Sequence, residues 1–144
     1  FVLHRDPYLI ASVVDEGRVS SEPLVLKGRF IDLFDPSLPV ISEKVVQPGE
    51  QAFFYDLDKM ADKTRPQVLA SASRQYDEEV TSNSFSFVSK SPIDTDNVMR
   101  ILLPQAPKLV QVSVASQSNW DEESQTLLLG FVNAPEGVRV RIEW

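Results

Sequence analysis

The chain has 144 residues, 42% hydrophobic and 24% charged, the proportions of an ordinary globular domain. Its net charge of −7 and its 14 scattered Lys and Arg argue against a nucleic-acid or anionic membrane partner, because phosphate binding needs concentrated cations. With no cysteine there is no disulfide, thiolate nucleophile or Cys-ligated zinc, and no apolar run approaches the ~20 residues that span a bilayer.

In chain order, the first predicted strands lie near 8–15, 23–34, 40–46 and 51–57. Asp35-Pro36-Ser37-Leu38-Pro39 and Gln47-Pro48-Gly49-Glu50 separate them, since proline fixes φ and lacks an amide hydrogen. The segment "DLDKMADK" at 56–63 is the one predicted helix, with Asp56 as its cap and Pro66 barring it beyond about Arg65. Strands then resume near 67–75, 79–90, 97–103, 108–116, 125–133 and 137–143. Turns at Pro104-Gln105-Ala106-Pro107 and Pro135-Glu136-Gly137 break up this second group.

Alternation with period two supports these strands. Phe85 and Phe87, Met99, Ile101 and Leu103, and Val110, Val112 and Val114 each share one face. Leu127, Leu129 and Phe131 do the same, as do Val138, Val140 and Ile142 against Arg139, Arg141 and Glu143. The fold class is therefore all-β: an antiparallel immunoglobulin-like β-sandwich of about ten strands with one short helix near 56–63.

Residues 1–65 and 66–144 resemble each other. Pro7-Tyr8-Leu9-Ile10-Ala11-Ser12 matches Pro66-Gln67-Val68-Leu69-Ala70-Ser71, and each leads to an acidic turn, Asp15-Glu16 or Asp77-Glu78-Glu79. One sandwich over 1–144 is the default reading; two small tandem sandwiches are the alternative. A chain opening on Phe1 without a basic and apolar leader reads as an excised domain or a processed chain.

Few residues point to chemistry. His4-Arg5-Asp6 spells the start of a kinase catalytic loop, but no glycine-rich loop precedes it and no Asp-Phe-Gly follows. His4 is the single histidine, and a fraying terminus is a poor place for a general base. Asp94-Thr95-Asp96-Asn97 alternates oxygens as a calcium loop does but lacks its glycine and distal glutamate, so an Asx-rich turn is preferred. Glu78-Glu79 and Glu122-Glu123 are adjacent acids flanking turns, where solvation is the expected state. No metal or cofactor is expected.

Among the aromatics, Phe30, Phe34, Phe53, Phe54, Phe85, Phe87 and Phe131 read as mostly core, and Trp144 shares the inward parity of Ile142. Trp120 stands apart, between Asn119 and Asp121 in a polar stretch. It either stacks on a sugar ring whose hydroxyls bond Asn119 and Asp121, or folds inward and plugs the sandwich end. The plug is preferred, and Trp120, Asn119 and Asp121 are the candidate ligand-binding residues.

"PQVLASASRQYDEEVTSNSFSFVSKSPIDTDNVMRILLPQAPKLVQV" followed by "NWDEESQTLLLGFVNAPEGVRVRIEW" resembles the β-sandwich accessory regions of large secreted polysaccharide-degrading proteins of gut-type bacteria. A Pro-x-x-Thr turn and a Trp-Asp-x-x-Ser-x-Thr strand recur there. Pro92, Thr95, Trp120, Asp121, Ser124, Thr126, Leu127, Leu129, Phe131 and Asn133 fill those places. The likeness covers the C-terminal half and carries no catalytic signature. It implies an Ig-like appendage of a glycan-processing protein, periplasmic or at the cell surface, whose partners are adjacent domains of a larger parent chain.

The leading expectation is thus a non-catalytic accessory domain. A carbohydrate-binding module using Trp120 and a surface protein that associates through strand edges are the alternatives.

Overall fold

The structure, a computed structural model, describes residues 1–15 and 21–144. Glu16, half of the first predicted acidic turn, lies outside the described residues. The period-two pattern is realised throughout, with thirteen strands in three antiparallel sheets and a single 3₁₀ turn among the described residues. No described helix is long and apolar enough to cross a membrane. The chain divides into two compact units, Phe1–Ala61 and Asp62–Trp144, each with its own core.

The first unit comprises β1 (Val2–Arg5), β2 (Tyr8–Ser12), β3 (Leu24–Asp32), β4 (Val40–Val46) and β5 (Gln51–Asp56) in one sheet of order β1-β2-β5-β3-β4. Leu9 and Ala11 pair with Phe54 and Ala52 across β2 and β5, and these four side chains are buried. Phe30 stacks on Phe54 with ring centroids 5.0 Å apart. A bulge between Lys27 and Phe30 bends β3 here. A Cβ at Gly28 would lie 2.5 Å from the tip of the Phe30 ring, so glycine lets that ring fold back over its own strand.

The predicted helix at 56–63 is only one 3₁₀ turn, Leu57–Lys59. Asp56 does cap it, its carboxylate accepting from Asp58 N at 2.9 Å. Met60 then returns to extended backbone. Asp62 accepts instead from the amide and hydroxyl of Thr64, and this local turn competes with helix continuation.

The second unit holds β6 (Gln67–Ser71), β7 (Arg74–Val80), β8 (Ser84–Lys90), β9 (Asp96–Leu102), β10 (Leu109–Val112), β11 (Ser116–Asp121), β12 (Thr126–Val132) and β13 (Val138–Glu143). They form two four-stranded sheets, β11-β12-β9-β6 and β10-β13-β8-β7. Met99, Ile101, Leu127, Leu129 and Phe131 from the first meet Phe85, Phe87, Val138, Val140 and Ile142 from the second in one core, with Trp144 at its margin. Each such side chain contributes about 1.5–3 kcal/mol by leaving water, and together they hold the two sheets as a sandwich.

Two crossings between these sheets account for most of the difference in strand count. The predicted strand at 108–116 is two strands, β10 in one sheet and β11 in the other, and the predicted strand at 67–75 ends at Ser71 before β7 begins in the opposite sheet. The Asp77-Glu78-Glu79 turn is a bulge inside β7, with Asp77 at φ 54°. The segments likened across the two halves hold different places: β2 is paired on both sides, whereas β6 is an edge strand paired only with β9.

Candidate functional site

Trp120 lies on β11 opposite Leu127, half-buried and packed against the sandwich core. Its indole N–H donates to a Glu122 carboxylate oxygen at 2.6 Å, which satisfies the ring's one polar atom. Side chains alternate along a strand, so Asn119, opposite Leu128, and Asp121, opposite Thr126, project to the other face. The three residues are consecutive in sequence but do not form one platform.

Asp121 is instead committed to the β11–β12 hairpin. Its two oxygens accept from the amide of Glu123 at 3.2 Å and the hydroxyl of Ser124 at 2.5 Å. Ser124 and Thr126 share a hydroxyl contact of 2.7 Å, and Arg100 Nη1 donates to Thr126 Oγ1 at 3.3 Å. Burial pushes the Arg100 guanidinium below its ordinary pKa, and the negative charge of Asp121 opposes that shift. Gln125 closes the turn in the left-handed region at φ 55°. The Trp-Asp-x-x-Ser-x-Thr spacing thus has a physical content: it builds one hairpin and seats one tryptophan.

The Asp94–Asn97 stretch divides in the same way. Thr95 Oγ1 donates to the carbonyl of Pro92 at 2.6 Å, and the Asn133 amide donates to Thr95 O and Oγ1 at 2.9 and 3.0 Å. Asp94, at φ 57°, and Asp96 are exposed, while Asn97 is 1% exposed. The oxygens therefore diverge and do not converge on a cation.

Asn97 belongs to a buried polar cluster that joins the two sheets. Its Nδ2 donates to Ser73 Oγ at 2.9 Å and Ser89 Oγ at 3.1 Å, and Ser89 Oγ donates to Ser73 Oγ at 2.7 Å. Ser71 Oγ donates to Asn97 Oδ1 at 3.3 Å and also contacts Ser73 Oγ at 2.8 Å. Asn97 is on β9 and Ser89 on β8, so the cluster ties sheet to sheet beside the β6–β7 crossing. Ser73 and Ser89 carry no distinctive sequence signal, and Asn97 stands out in the sequence only as the last member of an Asx-rich turn.

Two shallow grooves lie on the outer faces of this unit. One, ≈ 400 Å³, is bordered by Asp77, Glu79, Gln111, Ser113, Arg139 and Arg141; the other, ≈ 480 Å³, runs over Val98, Gln117, Gly130 and Val132. In the first unit, exposed Tyr8 and Phe34 flank Phe53 with ring centroids 5.7 and 6.0 Å away. Phe34, expected in the core, is 58% exposed because its strand ends at Asp32 and the chain turns at Asp35. Tyr55, 5.6 Å from Tyr8, has its hydroxyl pKa raised by burial and, less, by Tyr8. Tyr8 and Ile10 alternate as an inward face does, yet both are exposed.

Comparison with protein-family models, curated proteins and solved structures returns no match. The β-rich fold and the geometry of these side chains are therefore the basis for function.

Proposed function

We propose that the chain is a non-catalytic accessory β-domain of an exported bacterial glycan-processing protein, spacing or packing against a neighbouring domain of its parent in the periplasm or at the cell surface. The carrying observation is the seat of Trp120, with its ring on the sandwich core, its N–H on Glu122, and Asn119 and Asp121 on the opposite face. An indole held this way closes the sandwich end. The glycan context rests on the resemblance, whose residues all have parts in holding the sheets: Pro92, Thr95 and Asn133 in one loop, Asp121, Ser124 and Thr126 in one hairpin.

Affinity electrophoresis through gels of soluble polysaccharides tests the reading. The chain and its Trp120→Ala variant should migrate alike on every gel. Retardation that disappears in Trp120→Ala, with β-sheet circular dichroism kept, would transfer function to carbohydrate binding at that tryptophan. A second reading, glycan contact on the first unit, is favoured by exposed Tyr8 and Phe34 beside Phe53. Retardation kept in Trp120→Ala but lost in Phe34→Ala would select it.

A further inference from the structure

Among the described residues, the open edges of the three sheets are β1 and β4, β6 and β11, and β7 and β10. An exposed edge is a template for another chain's backbone, and proteins blunt it with bulges, charges, proline or brevity. Five of the six are blunted. β1 and β10 have four residues each. β4 carries Glu43 and Lys44, both in ion pairs. β6 follows Pro66 and is bulged, and β7 is bulged and bears Arg74, Asp77, Glu78 and Glu79.

β11 is different. It runs six residues in unbroken register with β12, its first four residues are exposed, and its only charge is the terminal Asp121. It also continues from β10 in an uncharged stretch, 109–120, of a chain with 14 basic and 21 acidic residues. One flank of the sandwich, β6 with β7, is thus bulged and charged; the opposite flank, β10 with β11, is regular and neutral.

We infer that the β10–β11 flank pairs with the same flank of a second copy, β11 against β11 and antiparallel. In a chain of net charge −7, a neutral edge is the one that a copy approaches without meeting its own charge, whereas the acidic β7 edge repels its mate. A two-fold axis through Ser118 sets Asn119 of each copy against Gln117 of the other, amide to amide. It puts Trp120 opposite Ser116 and keeps the two Asp121 carboxylates apart. The four-stranded β11-β12-β9-β6 sheet becomes a continuous sheet across two copies. The β11 edge of each copy is consumed and the edges left open are the blunted ones, so assembly stops at the dimer.

Sedimentation equilibrium of the full chain between about 10 µM and about 1 mM, the range suited to a small edge interface, tests this. The mass should rise from 16.2 kDa toward twice that value. Ser118→Lys and Ser118→Asp, at an exposed position on the axis, should each remain monomeric with unchanged circular dichroism, and should match the parent's Tm at about 10 µM, where association adds no stability. An equimolar mixture of the two should associate again, because Lys then faces Asp. Glu78→Gln on the opposite flank should associate as the parent chain does. A parent chain that stays at 16.2 kDa, single variants that associate undiminished, a mixture that stays monomeric, or masses beyond the dimer would each overturn the inference.

Discussion

Asn97→Ala cuts the tie between the two sheets of the second unit. The substitution removes three hydrogen bonds, to Ser73, Ser89 and Ser71, at 2.9, 3.1 and 3.3 Å. Each is worth about 0.5–1.5 kcal/mol net in a folded protein. Ser89 and Ser73 keep their mutual 2.7 Å contact, so their hydroxyls are not orphaned and the full desolvation penalty does not fall on them. The expected cost is about 2–3 kcal/mol. Ser89→Ala alone should cost about 1 kcal/mol, and the double variant less than the sum, because the two residues share one cluster. Urea unfolding followed by tryptophan emission is the assay, since Trp120 and Trp144 both lie in the second unit. A loss below about 0.5 kcal/mol, or additive effects in the cycle, would refute the idea that this cluster joins the sheets.

Other positions give sharper local tests. Gln125→Gly should stabilise the second unit by about 0.5–1 kcal/mol, because a Cβ residue at a φ of 55° costs about 1–2 kcal/mol and glycine's greater freedom in the unfolded chain gives back only about 0.5–1 kcal/mol of that. Gly28→Ala should cost about 1–3 kcal/mol through the Phe30 ring, whereas Gly130→Ala, whose Cβ would meet only Asn97 O at 3.9 Å, should be neutral or stabilising; both are read by thermal melting. Tyr55 releases its proton at higher pH in the folded state than in the unfolded state. The unfolded chain therefore binds fewer protons once pH exceeds about 10, and stability should fall as pH rises above that value. Tyr55→Phe should flatten this alkaline decline in denaturant titrations.

Where one face of a strand is apolar, the sequence was easy to read. Leu127, Leu129 and Phe131, or Val138, Val140 and Ile142, alternate so cleanly that strand and inward face follow together, and both sets are buried. β11 was hard for the converse reason. Ser116, Gln117, Ser118 and Asn119 are polar on both faces, so the sequence reads there as a loop, with Trp120 on one surface with its neighbours. Only the register against β12 reveals that Asn119 and Asp121 point away from the ring. The crossing at 113–115 was hidden because Val110, Val112 and Val114 continue one alternation while the backbone changes sheet. The 56–63 stretch has a helix cap but too little chain before Asp62 forms its own turn with Thr64, and nucleating a helix over so few residues is unfavourable. The Ser73–Ser89–Asn97 cluster depends on contacts 8 to 24 residues apart, which no local pattern announces.

The claim that Trp120 serves packing is tested most directly by the stability of Trp120→Ala, read from Trp144 emission in urea. Truncating a fully buried tryptophan costs 3–5 kcal/mol, so a half-buried ring on this core should cost about 2 kcal/mol. A loss of that size would fit a side chain that closes the sandwich. A variant as stable as the parent, within about 0.5 kcal/mol, would contradict the account, because a ring that contributes nothing to the fold is not packing.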